Sequence, residues 1–329
     1  MILVLVETDP QGATLTSREA LTFARGLASR SGGAPVHAVV VGPLEPEVQE
    51  GLVAHLAEQG VAELHHAQDD RLSSYAAAAW AAAVVDAVSA LSAGLVVASG
   101  TPRGSEILAH VAVRTDAVMA ANVVTVDEVE PLTVSRQVMG GAVLEEMRLD
   151  GALGVLSIAG HACDPEPADQ PTEVTVSAYT PSLADADLRA RVVRTEPVEA
   201  DDTAALSEAR VVVGAGRGAG GPDGFGDLLE LTDLLGGSLG VSRVVTNLGW
   251  RPHHEQVGQT GTRISPDLYI PCGISGAVQH WAGCQSAKTI LAINTDADAP
   301  MVTKADYAVI GDLHEIVPAI NAELRKRLA

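Results

Sequence analysis

Residues 257–280 read VGQTGTRISPDLYIPCGISGAVQH and decide how the second half of the chain folds. A short apolar segment at residues 267–270 lies between two glycine-bearing turns, a pattern typical of a buried strand. The second turn, residues 271–276, runs directly into a helix-like segment that ends near Gly283. Glycine lets the backbone approach a ligand closely, and free N–H groups at a helix start favour an anion. This stretch therefore predicts a strand–turn–helix unit that binds phosphate.

The composition is that of an acidic, globular chain. At 329 residues, two domains are the default expectation. Hydrophobic residues make up 47% and charged residues 19%, a balance typical of chains that bury cores. The 21 basic and 42 acidic residues give a net charge of −21, which argues against nucleic acid and against an anionic membrane surface as partners.

Three further features bear on location. No run of about 20 apolar residues is present, so we expect no membrane insertion. Met1 is followed at once by an apolar segment without a basic region or cleavage site, which indicates a first strand rather than a signal peptide. The three cysteines form no CxxC pair, and a sparse, odd set fits a reducing cytosol. We therefore expect a cytoplasmic protein.

Strands and helices alternate in the first part of the chain. Helical spacing begins at Ser17, a plausible N-cap. The pattern predicts strands at 2–6, 36–41, 61–65 and 94–98, and helices at 17–28, 45–59, 75–91 and 105–114. Four strand-like segments then follow without room for helices, at 123–126, 133–138, 141–147 and 153–158. The prediction is a doubly wound, mostly parallel sheet with an antiparallel extension.

A second α/β pattern begins after a segment rich in Pro, Asp and Glu. We interpret residues 196–207 as a linker between a domain at 1–195 and a domain at 208–329. The second domain is predicted to be Rossmann-like, with strands at 209–213, 242–246, 267–270, 288–294 and 307–310, and helices at 225–235 and 313–328.

Residues 216–221, GRGAGG, formally match the dinucleotide fingerprint GxGxxG after an apolar strand. A glycine run this dense matches many templates. The acid expected after the second strand is also absent, because residues 246–248 read TNL. An ordinary NAD site is therefore disfavoured.

Four motifs together resemble the C-terminal half of electron-transfer flavoprotein alpha subunits. They are VGQTG, LYI-x-x-GISGA-x-QH-x-AG, KTI-x-AIN and ADY-x-x-x-GDL, in this order and spacing. Residues 101–104 and 137–142 match turns of the family more weakly. The resemblance implies an electron carrier, not an enzyme, with one FAD held mainly on residues 208–329.

The resemblance also implies partners. It predicts a heterodimer with a beta subunit contacted by residues 1–195. Electrons would come singly from flavin dehydrogenases of the acyl-CoA dehydrogenase type, as in fatty acid β-oxidation, and pass to a downstream quinone-linked oxidoreductase. One alternative is an electron-bifurcating version that uses NADH. Another is an adenine-nucleotide-binding module on the first sheet, although the acidic residues 7–10 lack a phosphate loop.

The resemblance further assigns roles around the flavin. Arg217 would contact FAD, Ser242 would lie near its phosphates, and Arg243 would lie against the isoalloxazine. A cation there would stabilise the anionic, one-electron-reduced flavin. The predicted segment that wraps the ring consists of Val257, Gly258, Gln259 and Thr260, with the Thr260 hydroxyl directed towards flavin N5.

The remaining predicted cofactor residues follow the later strands. The phosphate turn and helix start comprise Ser275, Gly276, Ala277, Val278, Gln279 and His280. The resemblance places His280 near flavin C2=O, where an N–H donor stabilises developing charge. At the far end of FAD it places Asn294, Asp312 and Leu313; Asp312 is also a plausible N-cap of the last helix.

The chain departs from the family at residues 250–255, Trp281, Cys284 and Gln285. These positions lie beside the cofactor motifs and leave the motifs intact. Histidines with nearby acids occur at residues 65–70 and 253–255, but without HExxH or CxxC spacing we expect no metal site. Neither a GxSxG nor a GxxxxGK[ST] motif is present, which leaves no sequence signal for hydrolase or P-loop chemistry.

Overall fold

The computed structural model describes residues 1–141, 143–194 and 206–328. It divides into two compact units, Met1–Val138 with Val143–Glu196, and Met139–Ala142 with Pro197–Ala329. The predicted linker lies, up to residue 205, outside the described residues, so the exact domain limits stay a prediction.

The first unit alternates strands and helices before a run of strands. Its elements are β1 (Ile2–Leu5), the short hairpin β2 (Thr8–Asp9) and β3 (Gly12–Ala13), α1 (Leu15–Arg30), β4 (Val36–Val41), α2 (Pro46–Glu58), β5 (Glu63–Ala67), α3 (Ala77–Leu91), β6 (Leu95–Ser99), α4 (Pro102–Thr115), β7 (Val118–Val129), β8 (Leu132–Val138), β9 (Val143–Arg148), β10 (Gly154–Ile158) and β11 (Thr175–Tyr179).

A nine-stranded sheet organises this unit in the order β11-β5-β4-β1-β6-β10-β7-β8-β9. The strands from β11 to β7 are parallel, and β7, β8 and β9 form the antiparallel extension. Ile2 and Val4 pack into one core cluster, while Leu3 and Leu5 pack into a second cluster on the opposite face. Both faces of β1 are therefore covered, which explains its continuous apolar run.

The place of β10 corrects the sequence prediction. Residues 153–158 were expected in the antiparallel extension, yet β10 pairs in parallel with β6 and with β7, so that Gly154 lies between Leu95 and Val118. All five residues of β10 are buried. A strand that is buried on both faces is stabilised at the centre of a sheet, and the chain returns there instead of continuing the meander.

Helix starts also differ from the sequence prediction. The N-cap of α1 is Thr14, not Ser17, and its side chain accepts a hydrogen bond from the Ser17 N–H. Helix α4 begins at Pro102, with Thr101 as its cap, because proline suits the first helical position. Both helices therefore start earlier than the apolar spacing indicated.

The second unit contains a five-stranded parallel sheet in the order β13-β12-β14-β15-β16. Its elements are β12 (Val211–Ala215), α5 (Gly226–Leu234), β13 (Ser238–Val241), α6 (Arg243–Asn247), β14 (Leu268–Cys272), α7 (Val278–Cys284), β15 (Thr289–Asn294), α8 (Pro300–Lys304), β16 (Tyr307–Ile310) and α9 (Leu313–Leu328).

One predicted strand of this unit is wrong. Residues 242–246 do not form a strand, because β13 ends at Val241 and Arg243–Asn247 is the short helix α6. The Val-Val-Thr run has high strand propensity, but the sheet pairs the preceding Ser238–Val241 with β12. Tertiary pairing thus overrides local propensity here. In the part of the chain that the structure describes, no helix is long and apolar enough to cross a membrane.

Candidate cofactor-binding site

A cavity of about 750 Å³ opens at the carboxyl ends of the second sheet. Segments that follow every strand of the sheet line it, namely residues 217–218, 242–244, 273–277 with 279–280, 294–296 and 311–314. In open parallel sheets, ligands bind outside the carboxyl ends of the strands, where the strand order reverses. Strand β12 lies between β13 and β14, so the reversal falls within this sheet. The volume suits an organic cofactor.

Glycines shape the turn between β14 and α7. Gly273 and Gly276 have φ values of +61° and +79°, which side-chain-bearing residues rarely adopt. A Cβ on Gly273 would lie 2.7 Å from Gly218 Cα, and a Cβ on Gly276 would lie 2.4 Å from the Met301 nitrogen. The turn therefore depends on glycine for its conformation and for its close packing against two neighbouring segments.

Two unpaired cations face this cavity. Arg217 and Arg243 both line it and are exposed. Neither forms an ion pair or a side-chain hydrogen bond with the described residues, although the chain carries twice as many acidic as basic residues. Free guanidinium groups at a cavity favour an anionic ligand, because the planar group can donate two parallel hydrogen bonds to a phosphate.

A buried tyrosine orients the histidine of the site. Tyr269 is fully buried in β14, and its hydroxyl lies 2.7 Å from His280 Nε2. Burial raises the pKa of Tyr269 well above its usual value, so the phenol stays protonated. Burial also lowers the pKa of His280 to about 4, so the imidazole is neutral at pH 7.

These two states fix the histidine tautomer. The phenolic O–H needs an acceptor, and among the described residues only His280 Nε2 lies within hydrogen-bond distance of the hydroxyl. The ring proton then resides on Nδ1. A backbone hydrogen bond with Val257 raises the pKa of the ring, opposite to the effect of burial, although the buried Nδ1 has no contact of full hydrogen-bond geometry in the described part of the chain. His280 also lines the cavity, so a ligand bound there would lie beside its neutral imidazole.

Ser242 provides a second unsatisfied polar group. Its Oγ is buried, and within the described residues it has no hydrogen-bond partner. An unsatisfied buried polar group costs roughly 1–3 kcal/mol. Because Ser242 and His280 both line the cavity, a ligand with polar atoms would satisfy both groups. This chemistry fits a cofactor that carries phosphates and ring carbonyls.

Two other predicted residues line the cavity and also hold its loops. The Asn294 side chain donates to the Ile274 carbonyl at 3.0 Å and accepts from the Asp296 N–H at 3.1 Å. Asp312 Oδ1 accepts from the His314 N–H at 2.9 Å at the start of α9, as the N-cap prediction indicated. These contacts fix the turns after β15 and β16.

The structure brings most, but not all, predicted site residues together. The predicted residues that line the cavity are Arg217, Ser242, Arg243, Ser275, Gly276, Ala277, Gln279, His280, Asn294, Asp312 and Leu313. Those outside its lining are Val257, Gly258, Gln259, Thr260 and Val278. The 257–260 segment instead supports α7, since the Gln259 N–H donates to the Gln279 carbonyl at 2.7 Å. Its predicted contact with the flavin ring stays a prediction.

Sequence reasoning missed several lining residues and the buried tyrosine. Thr295 and Asp296 directly follow β15, and His314 lies in the first turn of α9, soon after β16, so the rule that ligands bind at carboxyl ends could have found them. Tyr269 gave no such signal, because an aromatic residue inside an apolar strand is read as core.

A five-stranded parallel sheet with a glycine turn, unpaired arginines and unsatisfied polar groups at its carboxyl edge defines a nucleotide-cofactor-binding α/β protein. Residues 2–184 match the electron transfer flavoprotein domain, and residues 205–285 match the electron transfer flavoprotein FAD-binding domain. The chain belongs to the electron transfer flavoprotein alpha subunit family. Its cofactor is FAD, and the predicted fold class is confirmed.

Relatives from several bacteria match nearly the whole chain. The electron transfer flavoprotein subunit alpha of Mycobacterium leprae is 36% identical over 329 residues, covering 99% of this chain and 98% of that protein. The subunit of the same name from Mycobacterium tuberculosis is 37% identical over 331 residues, with coverage of 99% and 98%. That of Thermoanaerobacterium thermosaccharolyticum is 31% identical over 311 residues, with coverage of 94% and 92%.

Proposed function

We propose that this chain pairs with a beta subunit, holds FAD in the cavity of its second unit and passes electrons singly. The donors are flavin dehydrogenases of the acyl-CoA dehydrogenase type, and the acceptor is a quinone-linked oxidoreductase. The chain transforms no substrate of its own. The observation that carries the proposal is one cavity lined by two arginines and a buried Ser242 hydroxyl, all without partners among the described residues, together with a neutral histidine.

Some side chains of the cavity would bind FAD, and others would adjust the reduction potential of its flavin. Bound FAD supplies the one-electron chemistry. Ser242 and the glycine turn at 273–276 bind the phosphates, and Arg217 balances their charge. Arg243 would supply a positive charge to the isoalloxazine, and His280 would supply a hydrogen-bond donor to its C2 carbonyl. Asn294 and Asp312 shape the pocket for the adenosine end.

The flavin spectrum of the chain co-expressed with its beta subunit tests the assignment. We expect a yellow heterodimer whose alpha chain retains one FAD. Gly276→Ala should reduce FAD affinity at least about tenfold, because its Cβ would collide with the Met301 backbone at a φ of +79°. Gly226→Ala is the matched control, since a Cβ there meets no atom within 4 Å.

The experiment distinguishes failure of FAD binding by the heterodimer from failure of the placement of FAD in this cavity. Circular dichroism of both variants shows whether the turn, rather than the whole fold, has changed. A heterodimer that is colourless and stays so after FAD is added contradicts the proposal. Equal FAD retention in the two glycine variants would contradict only the placement of FAD in this cavity.

An electron-bifurcating version, in which a second FAD on the beta subunit accepts hydride from NADH, is the alternative on the same fold. The cavity of this chain suits either version, so the test is made on the heterodimer. Under the proposed function, NADH added without oxygen should leave the flavin absorbance unchanged. Bleaching of the flavin by NADH would establish the bifurcating version instead.

The first unit offers little support for the other alternative, an adenine-nucleotide-binding module. Glu7 follows β1 and accepts a hydrogen bond from the Thr101 hydroxyl, the N-cap of α4. A Cβ on Gly104, in the first turn of α4, would lie 3.3 Å from Glu7 Oε1. A carboxylate thus occupies the helix start at which a phosphate would bind, and like charge opposes the phosphate.

A further inference from the structure

Two histidines and a glutamate lie together on the sheet of the first unit, and none of them lines the FAD cavity. His37 is on β4, and Glu63 and His65 are on β5. The parallel register pairs Ala38 with Leu64, so positions 37 and 63 are neighbours on adjacent strands. The two imidazole rings are stacked, with their centroids 5.3 Å apart. Three side chains that commonly bind metals therefore converge on one face.

The nitrogen and oxygen atoms of this cluster have a spacing that suits metal coordination. One ligand atom from each residue lies within 4.8 Å of the other two. His37 Nδ1 is 3.0 Å from His65 Nε2 and 3.7 Å from Glu63 Oε2. A tetrahedral ion with bonds of about 2.0–2.2 Å separates its ligands by roughly 3.3 Å. The observed distances bracket that value, so small side-chain movements would complete the geometry.

We propose that His37, Glu63 and His65 form a binding site for a divalent transition metal ion, with Zn²⁺ as the best-suited ion. Two imidazoles and one carboxylate are a ligand set that Zn²⁺ uses, with water in the fourth position. Magnesium and calcium prefer all-oxygen sites and do not suit this cluster.

Access also fits the site. The side chains of His37, His65 and Glu63 are 12%, 10% and 29% exposed, which leaves a path for an ion.

A neighbouring strand orients the carboxylate. The Ser177 hydroxyl of β11 donates to Glu63 Oε1 at 2.5 Å, while Glu63 Oε2 is the oxygen nearest His37. Hydrogen bonds to metal-binding carboxylates fix their direction and raise metal affinity. Ser177 is therefore a positioning residue for the proposed site.

The acids that sequence reasoning considered are engaged elsewhere. Asp69 pairs with Arg71 at 2.7 Å, and His66 Nε2 lies 2.7 Å from the Gly42 carbonyl. Near His253 and His254, Glu255 is held by Arg251 at 2.8 Å. Within the described residues, the grouping at residue 37 is the one that offers three convergent ligands.

Zinc binding to the metal-stripped, FAD-loaded heterodimer tests the proposal by calorimetry and by metal analysis after dialysis. The wild-type protein should bind one Zn²⁺ more than His37→Asn or His65→Asn, and Zn²⁺ should raise the Tm of the wild type but not that of either of these two variants. Ser177→Ala should keep the stoichiometry and weaken binding about tenfold. His254→Asn, an exposed histidine outside the cluster, should bind like the wild type.

A hydrogen-bonded histidine pair without metal is the competing explanation. It predicts no zinc uptake by the wild-type protein, or equal uptake by the wild type and both histidine variants, and either result overturns the proposal. Flavin absorbance and Tm in a chelator, measured for every variant, show that the fold is retained. These readouts do not depend on electron transfer activity.

Discussion

Replacing Arg243 with alanine is expected to lower the potential of the first one-electron reduction of the bound FAD by roughly 60 mV. That shift corresponds to a tenfold change for a one-electron couple. Adding one electron creates negative charge on the flavin, and a nearby cation stabilises that charge. Arg243 makes no ion pair within the described residues, so its charge is available to the cofactor. Its exposure limits the effect through solvent screening.

Spectroelectrochemical titration of the heterodimer measures this potential directly. Arg243→Lys distinguishes the effect of the positive charge from that of the planar guanidinium group, because lysine keeps the charge and lacks the planar group. We expect the lysine variant to keep more than half of the difference between wild type and alanine. A potential that is the same in the alanine variant and in the wild type would refute the electrostatic role of Arg243.

Much of the fold was predictable because its strands are continuous apolar runs bounded by turn residues. Such local signals placed β4 and β16 at their observed limits and α9 at its observed start. The position of β10 was not predictable, because the order of strands depends on which partner buries a fully apolar segment best. The same reason applies to α6, whose residues favour a strand by local propensity alone.

Site features that depend on local sequence were predictable, and those that depend on strand pairing were not. Glycine turns after strands indicate a phosphate site from sequence spacing alone, and Gly276 was found in this way, whereas Asp312 was predicted from the family resemblance. The grouping of His37 with Glu63 and His65 was not visible, because strand pairing brings together residues that are 26 or more positions apart. The lack of a metal motif in the sequence therefore did not exclude a metal site on the sheet.

Replacing Tyr269 with phenylalanine tests the tautomer of His280 and should weaken FAD retention about tenfold. The change removes the hydroxyl that donates to His280 Nε2 and leaves the buried ring in place. The imidazole proton can then move to Nε2, and Nδ1 would no longer donate to the cofactor. Loss of one such hydrogen bond costs roughly 1–2 kcal/mol, and each 1.4 kcal/mol is a tenfold change in affinity.

His280→Ala should produce a loss at least as large and shift the flavin absorbance bands, because it removes the donor itself. The double variant should be no worse than His280→Ala, since Tyr269 acts through the histidine. Additive losses would mean that the Tyr269 hydroxyl supports FAD binding independently of His280. Cys284→Ser is a matched control for the buried cluster, because Cys284 packs with Tyr269 but does not line the cavity. Flavin release on dilution and the spectra of the four variants measure these effects, and unchanged retention and spectra in His280→Ala would refute the donor role.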